Sequence, residues 1–372
     1  MRIGIDARVL EKKVTGIGRT LEGILRNIPD IDESIEFVLF TNSPIHFHSK
    51  NCVTVVTNSN HTSYKLLSPL WIYYILPSYL HKHGIDLYFS PNYYLPPSLH
   101  KKNIKSIVVV HDVIHKVKPE FHPFVYNTYL DVMVKHTIAK SDCIITDSVS
   151  SKRDIIHHYK IENNKVEVIY PFAHDKFYPR ELSAEEKAVL QRKYRLPNEF
   201  ILFVGVIEAR KNITGILKIN KRLQARGRNI PIVLIGREGY GGHELINQIS
   251  SESNIQYLQY VEDDDLPLIY NLSKVFLFPS HYEGFGYPPL EAMKSGIPVV
   301  SSNAGSLPEI IGSNIPMADP DDTDSFVNEI EKLLFQDEYY NELKLRGMER
   351  AKIFEMRKSL DKFISVIHRI SD

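Results

Sequence analysis

The chain has 372 residues, 43% of them hydrophobic and 24% charged, with 45 Lys and Arg against 45 Asp and Glu. That length exceeds one ordinary core and suits two domains, and the composition excludes a disordered chain. Cys52 and Cys143 are the only cysteines, which excludes a disulfide framework and a four-cysteine metal site and suits a reducing compartment.

Short apolar, β-branched runs recur along the chain. In the first half they read as strands at "RIGID", "EFVLF", "VTVV", "DLYFS", "SIVVV", "CIIT" and "VEVIY". In the second half they are "FILFVG", "PIVLIG", "IQYLQYV", "VFLFP" and "PVVSS". Helical patterns lie between them, as in "GIGRTLEGILRNI" and "TGILKINKRLQAR". Most runs are apolar throughout rather than alternating, which predicts parallel strands covered on both faces. The class is therefore α/β with doubly wound sheets. The polar stretch 170–187, with two prolines, reads as the linker between two similar domains. The tail from about Tyr339 to Ile370 reads as helix, with Leu343, Met348, Ile353, Phe363 and Ile367 as candidate core contacts.

The charge is uneven: residues 1–180 carry 22 Lys and Arg against 17 Asp and Glu. Between Thr41 and Val110 six lysines face one acid, Asp86, with tyrosines and Trp71 interleaved. This is either a solvated face or a surface for peripheral contact with anionic lipid headgroups or an anionic acceptor. The excess is too weak for a nucleic-acid partner, and no recognition motif accompanies it. The N-terminus lacks a signal peptide's apolar segment. The most apolar stretch, 66–80, contains two prolines and is shorter than the ~20 residues of a spanning helix. The expected location is cytoplasmic, with the inner face of the membrane as the alternative.

"EGFGYPPLE" sets Glu283 and Glu291 eight residues apart. It follows the "VFLFP" run, so it should form the loop at that strand's carboxyl end, where such sheets bind ligands. A helix is expected from near Pro288, with Glu291 in its first turn. Gly284 and Gly286 leave backbone N–H groups accessible at a positive helix end. Either acid alone reads as a turn or dipole carboxylate. Together they suit the paired hydroxyls of a nucleotide-sugar.

The segment "FPSHYEGFGYPPLEAMKSGIPVVSSNAGSLPEIIG" closely resembles the donor-binding segment of family 4 retaining glycosyltransferases, which have the GT-B fold. "IGIDARVLEKKVTGIGRT", "VVVHDVIHKVKPEFHP", "ITDSVSSKRDI", "VIYPFAHDKFYP" and "FVGVIEARKNITGIL" extend the likeness across nearly the whole chain. It is most similar to the mannosyltransferase branch of bacterial surface polysaccharide synthesis. The resemblance implies two Rossmann-like domains facing a central cleft. Residues 1–175 would form the acceptor side, with a helix of about 355–372 packing back on it, and 176–354 the donor side.

The resemblance also implies roles. Glu291 would bind the donor ribose. Glu283 and the backbone of Gly284, Phe285 and Gly286 would hold the transferred sugar. Arg210 and Lys211 would clamp the diphosphate, and His111 would lie beside the anomeric centre. Gly16 and Gly18 would let the first loop approach the diphosphate or acceptor, and Tyr260 and Val261 would lie near the base. Val206 stands where the commonest phosphate loop has Arg, and the "E-x-R-K-N" version lets Arg210 supply that charge. On this reading Lys211→Ala lowers turnover with folding intact, and Glu291→Ala weakens donor binding. The implied reaction moves a hexose, with mannose from GDP-mannose as first choice, to a glycan or lipid-linked acceptor, with no cofactor or metal required. The alternatives are a UDP-sugar donor, a non-catalytic nucleotide-sugar-binding assembly subunit, and an epimerase of the same fold. A nicotinamide oxidoreductase is disfavoured because the third glycine of its fingerprint is Leu21.

Other signals are weaker. Asp263, Asp264 and Asp265 read as the cap of a helix beginning at Leu266. Asp319 to Asp322 reads as a turn and another cap. The histidine pairs 46/48, 81/83 and 157/158 have no companion cysteines at metal-ligand spacing.

Overall fold

Strands that are apolar on both sides must be covered on both sides, and the chain meets that demand twice. The structure, a computed structural model, describes residues 1–11, 16–57, 71–97, 99 and 103–371. Parts of the basic 41–110 stretch, residues 58–70, 98 and 100–102, therefore lie outside the described residues. The chain divides into two units. The first comprises Met1–Pro119, Pro123–Phe172 and Met356–Asp372, and the second Glu120–His122 and Ala173–Glu355.

In the first unit, the strands are β1 (Arg2–Asp6), β2 (Glu36–Thr41), β3 (Cys52–Val56), β4 (Leu87–Ser90), β5 (Lys105–Val109), β6 (Cys143–Thr146) and β7 (Val166–Val168). They form a 7-stranded sheet in the order β3-β2-β1-β4-β5-β6-β7. Every pairing is parallel. Along β2, Phe37 and Leu39 enter one core with Ile3, Ile5 and Phe89, while Val38 and Phe40 enter another with Trp71, Leu80 and Tyr88. The last helix, Met356–Ser371, joins the first of these cores: Phe363 meets Phe89 edge-on with centroids 4.9 Å apart.

In the second unit, β8 (Ile201–Val204), β9 (Ile232–Ile235), β10 (Ile255–Leu258), β11 (Val275–Phe278), β12 (Val299–Ser302) and β13 (Met317–Ala318) form a 6-stranded sheet, ordered β10-β9-β8-β11-β12-β13. It too is parallel throughout. The chain winds outward one way from β8 and then the other way from β11, so the switch point lies between those two strands. In open α/β sheets ligands bind beside the carboxyl ends of the strands at such a switch point. The expected doubly wound α/β class is what the structure shows.

Three local expectations need correction. The boundary between the two units, Phe172–Ala173, falls inside the expected linker 170–187, but that stretch is packed rather than bare. Phe177 is fully buried edge-on against Tyr270, and Ser183 opens the helix Ala184–Tyr194 with a reciprocal capping box to Glu186. The tail is two helices, Asp337–Ala351 and Met356–Ser371, not one. The break between them leaves Ile353 exposed and buries Phe354 instead. Strand β13, only two residues long, has no apolar run to announce it. No described helix is long and apolar enough to cross a membrane.

Candidate active site

The switch point of the second sheet gathers its charged side chains from two loops. After β8, a tight turn Ala209–Lys211 leads to Asn212, which adopts a left-handed conformation and caps helix Ile213–Ala225 by accepting from the Gly215 amide at 3.0 Å. The Asn212 amide also donates to the carbonyls of Pro279 and Pro320, at 3.1 and 2.7 Å, and so ties this turn to the chain after β11 and after β13. Arg210 and Lys211 are thereby aimed at Glu283.

Lys211 Nζ donates to Glu283 Oε1 at 2.6 Å, and Arg210 Nη1 donates to Glu283 Oε2 and to the Tyr282 carbonyl, both at 3.0 Å. Glu208 takes the other edge of the guanidinium, with Oε1 3.0 Å from Nε and 2.7 Å from Nη2. Lys211 and Glu283 are each 7% exposed. Burial pushes the Glu283 carboxyl up, but the charges of Lys211 and Arg210 outweigh it and hold the carboxyl below its ordinary range. Burial first, and then the Arg210 charge, pull Lys211 below its ordinary value.

The main chain of Glu283 is fixed from below by the loop after β12. Ser306 donates from its amide and hydroxyl to the Glu283 carbonyl, each at 3.0 Å, and its hydroxyl lies 2.6 Å from the Phe285 carbonyl. Gly305 has φ +59°, and a Cβ there would stand 2.5 Å from the Glu283 carbonyl oxygen. Only glycine permits this approach. The Phe285 ring packs inward, edge-on to Tyr287 and Phe354. Gly286 has φ +118° and stands as the N-cap of helix Tyr287–Lys294. That helix starts one residue before Pro288, so Glu291 is its fifth residue and not in its first turn. Glu291 is buried and accepts from the Tyr270 hydroxyl at 3.0 Å.

Tyr260 and Val261 follow β10 on the same sheet edge, Tyr260 half exposed and Val261 buried. Strand β10 is two strands from β8 in the sheet. Asp265 precedes helix Leu266–Leu272, but its side chain caps nothing. It is held instead by Lys193 Nζ at 2.7 Å and the Tyr194 hydroxyl at 2.6 Å. Asp322 does cap its helix, accepting from the Ser325 amide at 3.1 Å.

His111 belongs to the first unit, directly beyond β5. Its Nδ1 lies 2.8 Å from Asp147 Oδ2, beyond β6, and its Nε2 lies 2.9 Å from the Pro91 carbonyl, beyond β4. Both partners are acceptors, so both ring nitrogens serve as donors and the ring is an imidazolium. Burial opposes that charge, but Asp147 prevails and raises the His111 pKa to about 9. Gly16 and Gly18 lie in the first turn of helix Gly16–Ile31, after β1. Among the described residues no group of three His, Cys, Asp or Glu could hold a metal ion.

The residues missed in the sequence are partners: Glu208, Asp147, Tyr270 and Ser306. Glu208 had a signal, as the first letter of "E-x-R-K-N". Asp147 and Ser306 lie within the segments "ITDSVSSKRDI" and "SSNAGSLPEIIG" that carry the resemblance, and Tyr270 had no signal.

The family described as Glycosyl transferases group 1 matches residues 186–350, and Glycosyltransferase Family 4 matches residues 14–176. O-antigen chain mannosyltransferase B of Escherichia coli is 34% identical over 273 residues, covering 72% of this chain and 70% of that protein. Sucrose-phosphate synthase from Thermosynechococcus elongatus has the same fold, with a TM-score of 0.79 at 18% identity over 99% of this chain and 98% of that chain. So does Anabaena HepE in complex with UDP-glucose, with a TM-score of 0.75 at 16% identity over 99% of this chain and 100% of that chain.

Proposed function

The chain belongs to the group 1, family 4 glycosyltransferases, and from that premise we propose that it moves a hexose from a nucleotide-sugar to a glycan or lipid-linked acceptor in surface polysaccharide synthesis. The observation that carries this reading is the paired Arg210, Lys211 and Glu283 at the switch point of the second sheet. Breaking the anomeric carbon–phosphate oxygen bond builds negative charge on the departing diphosphate. Arg210 and Lys211 are fixed cations that stabilise that charge without a metal. A carboxylate has about four acceptor sites. Lys211 and Arg210 each use one on Glu283, which accepts sugar hydroxyls at the rest.

Glu291 takes the ribose hydroxyls, with Tyr270 fixing the carboxylate. Gly284, Phe285 and Gly286 form the backbone beside the sugar, and Tyr260 and Val261 flank the base. In the same-face account, the acceptor hydroxyl bonds to the anomeric carbon as the diphosphate leaves. Its proton passes to the leaving phosphate oxygen, and configuration is retained. His111 is held as a cation by Asp147 and acts as a positioning residue in the first unit, with Gly16 and Gly18 lining its first loop. GDP-mannose is the preferred donor, supported by the mannosyltransferase named among the relatives. A UDP-hexose is the second reading, favoured by the UDP-glucose bound to the Anabaena neighbour. Neither reading calls on a cofactor.

The test is to incubate the enzyme with GDP-mannose or UDP-hexoses and a mannan-type acceptor, and to follow the product anomer by NMR. Transfer with retained configuration is expected. An inverted product overturns the same-face account, and donor binding without any transfer favours an assembly subunit.

A further inference from the structure

Arg210 and Lys211, on the loop after β8, are separated from Tyr260 and Val261, after β10, by a single strand, β9. The three strands are parallel, so the loop after β9 leaves the same sheet edge between them. That loop reads "GREGYGG", residues 236–242, and its glycines let it lie directly against the loop after β8. A Cβ on Gly236 would stand 1.9 Å from the Gly205 carbonyl oxygen, and one on Gly239 would stand 2.5 Å from Val206 Cγ1. Backbone bonds join the two loops. The Ile207 amide donates to the Arg237 carbonyl at 2.9 Å, and the Gly239 amide donates to the Ile207 carbonyl at 3.0 Å. On the β10 side the Gly236 amide donates to the Leu258 carbonyl at 3.0 Å, and the Tyr257 hydroxyl donates to the Gly236 carbonyl at 2.9 Å. The main chain of Arg237 is therefore fixed from both neighbouring strands, while the residue itself stands exposed. Lys211 and Arg210 spend charge on Glu283, but the Arg237 guanidinium has no ion pair or hydrogen bond among the described residues. A cation held ready on a constrained loop, at the ligand edge of the sheet, loses little freedom when it binds.

We propose that Arg237 reads the base of the donor nucleotide and selects guanine. The proposal rests on the donor reading above and names the residue that decides between its two nucleotides. On that reading the diphosphate lies on Arg210 and Lys211 and the base lies by Tyr260 and Val261, so the loop after β9 runs beside the nucleotide between them. The planar guanidinium fork matches two acceptors set side by side. Guanine presents such a pair in O6 and N7, whereas adenine sets an amino donor beside its N7 and a pyrimidine such as uracil offers O4 alone on that edge. A phosphate needs only a point charge, and two cations already serve it on the neighbouring loop.

The test is calorimetric titration of the full chain with GDP, IDP, 7-deaza-GDP and UDP, for the wild type, Arg237→Lys and Arg237→Gln. The wild type should bind GDP and IDP alike, because hypoxanthine keeps O6 and N7, and should bind 7-deaza-GDP more weakly. Each variant should lose about tenfold in GDP affinity, with UDP affinity and circular dichroism unchanged. An equal loss for GDP and UDP overturns the proposal and assigns Arg237 to the phosphates. Full GDP affinity in both variants, or equal binding of GDP and 7-deaza-GDP by the wild type, overturns it and leaves the donor reading intact. A wild type that prefers UDP overturns it while keeping the enzyme class. A wild type that binds no nucleotide removes the donor reading itself, and this proposal with it.

Discussion

Lys211 Nζ stands 2.6 Å from Glu283 Oε1 with both side chains buried, so removing either charge leaves the other a partner short. The sequence-based expectation that Lys211→Ala leaves folding intact is therefore revised. Losing one partner of a buried pair costs about 3–5 kcal/mol, an upper figure here because Arg210 still faces Glu283. Denaturant unfolding should show that loss beside the loss of turnover. Adding Glu283→Gln should recover part of the stability and none of the activity. A single variant as stable as wild type would contradict the pairing.

Tyr270→Phe removes the hydroxyl that donates to Glu291 and leaves a buried carboxylate one partner short, a loss of about 1–3 kcal/mol. Nucleoside diphosphate affinity should fall roughly fivefold or more, and further in Glu291→Ala. Calorimetric titration checks this, and unchanged affinity in both variants would remove Glu291 from the ribose site.

Gly305→Ala places a methyl group against the Glu283 carbonyl in a left-handed backbone conformation. The expected cost exceeds ~1 kcal/mol, with donor binding lost because the Glu283 loop must move. A melting temperature and affinity equal to wild type would count against this anchoring of the loop.

The His111–Asp147 pair predicts a pH dependence. His111 has its pKa raised to about 9 in the folded state, against ~6.5 for an ordinary histidine. Its contribution to stability is therefore fully present below ~pH 6.5 and is lost as pH rises through about 9. Asp147→Asn should remove that contribution, so the two stability curves should converge above this range. NMR titration of the imidazole reads the value directly, and a midpoint near 6.5 in the wild type would refute the imidazolium.

Much of the fold was legible because β-branched runs covered on both faces have one economical arrangement, a parallel sheet between helices. The acids at 283 and 291 were legible from spacing and their glycine loop. What surrounds them was not. Asp147 lies 36 positions from His111 and Tyr270 lies 21 from Glu291, and no local pattern links residues so far apart. Asp265 misled because a cap position does not oblige a capping side chain when Lys193 and Tyr194 compete for it. The 170–187 stretch was legible as the boundary between the units, but its prolines drew attention from Phe177, whose ring is core.

The most direct test of the account is a thermal-shift panel with GDP, UDP, ADP, dTDP and NAD, with and without Mg²⁺, on the wild type and Glu291→Ala. A ligand that prefers the folded state raises the melting temperature. The account predicts a metal-independent rise with a nucleoside diphosphate, GDP first, that Glu291→Ala abolishes. A rise with NAD alone, or a diphosphate shift that survives in Glu291→Ala, would contradict it.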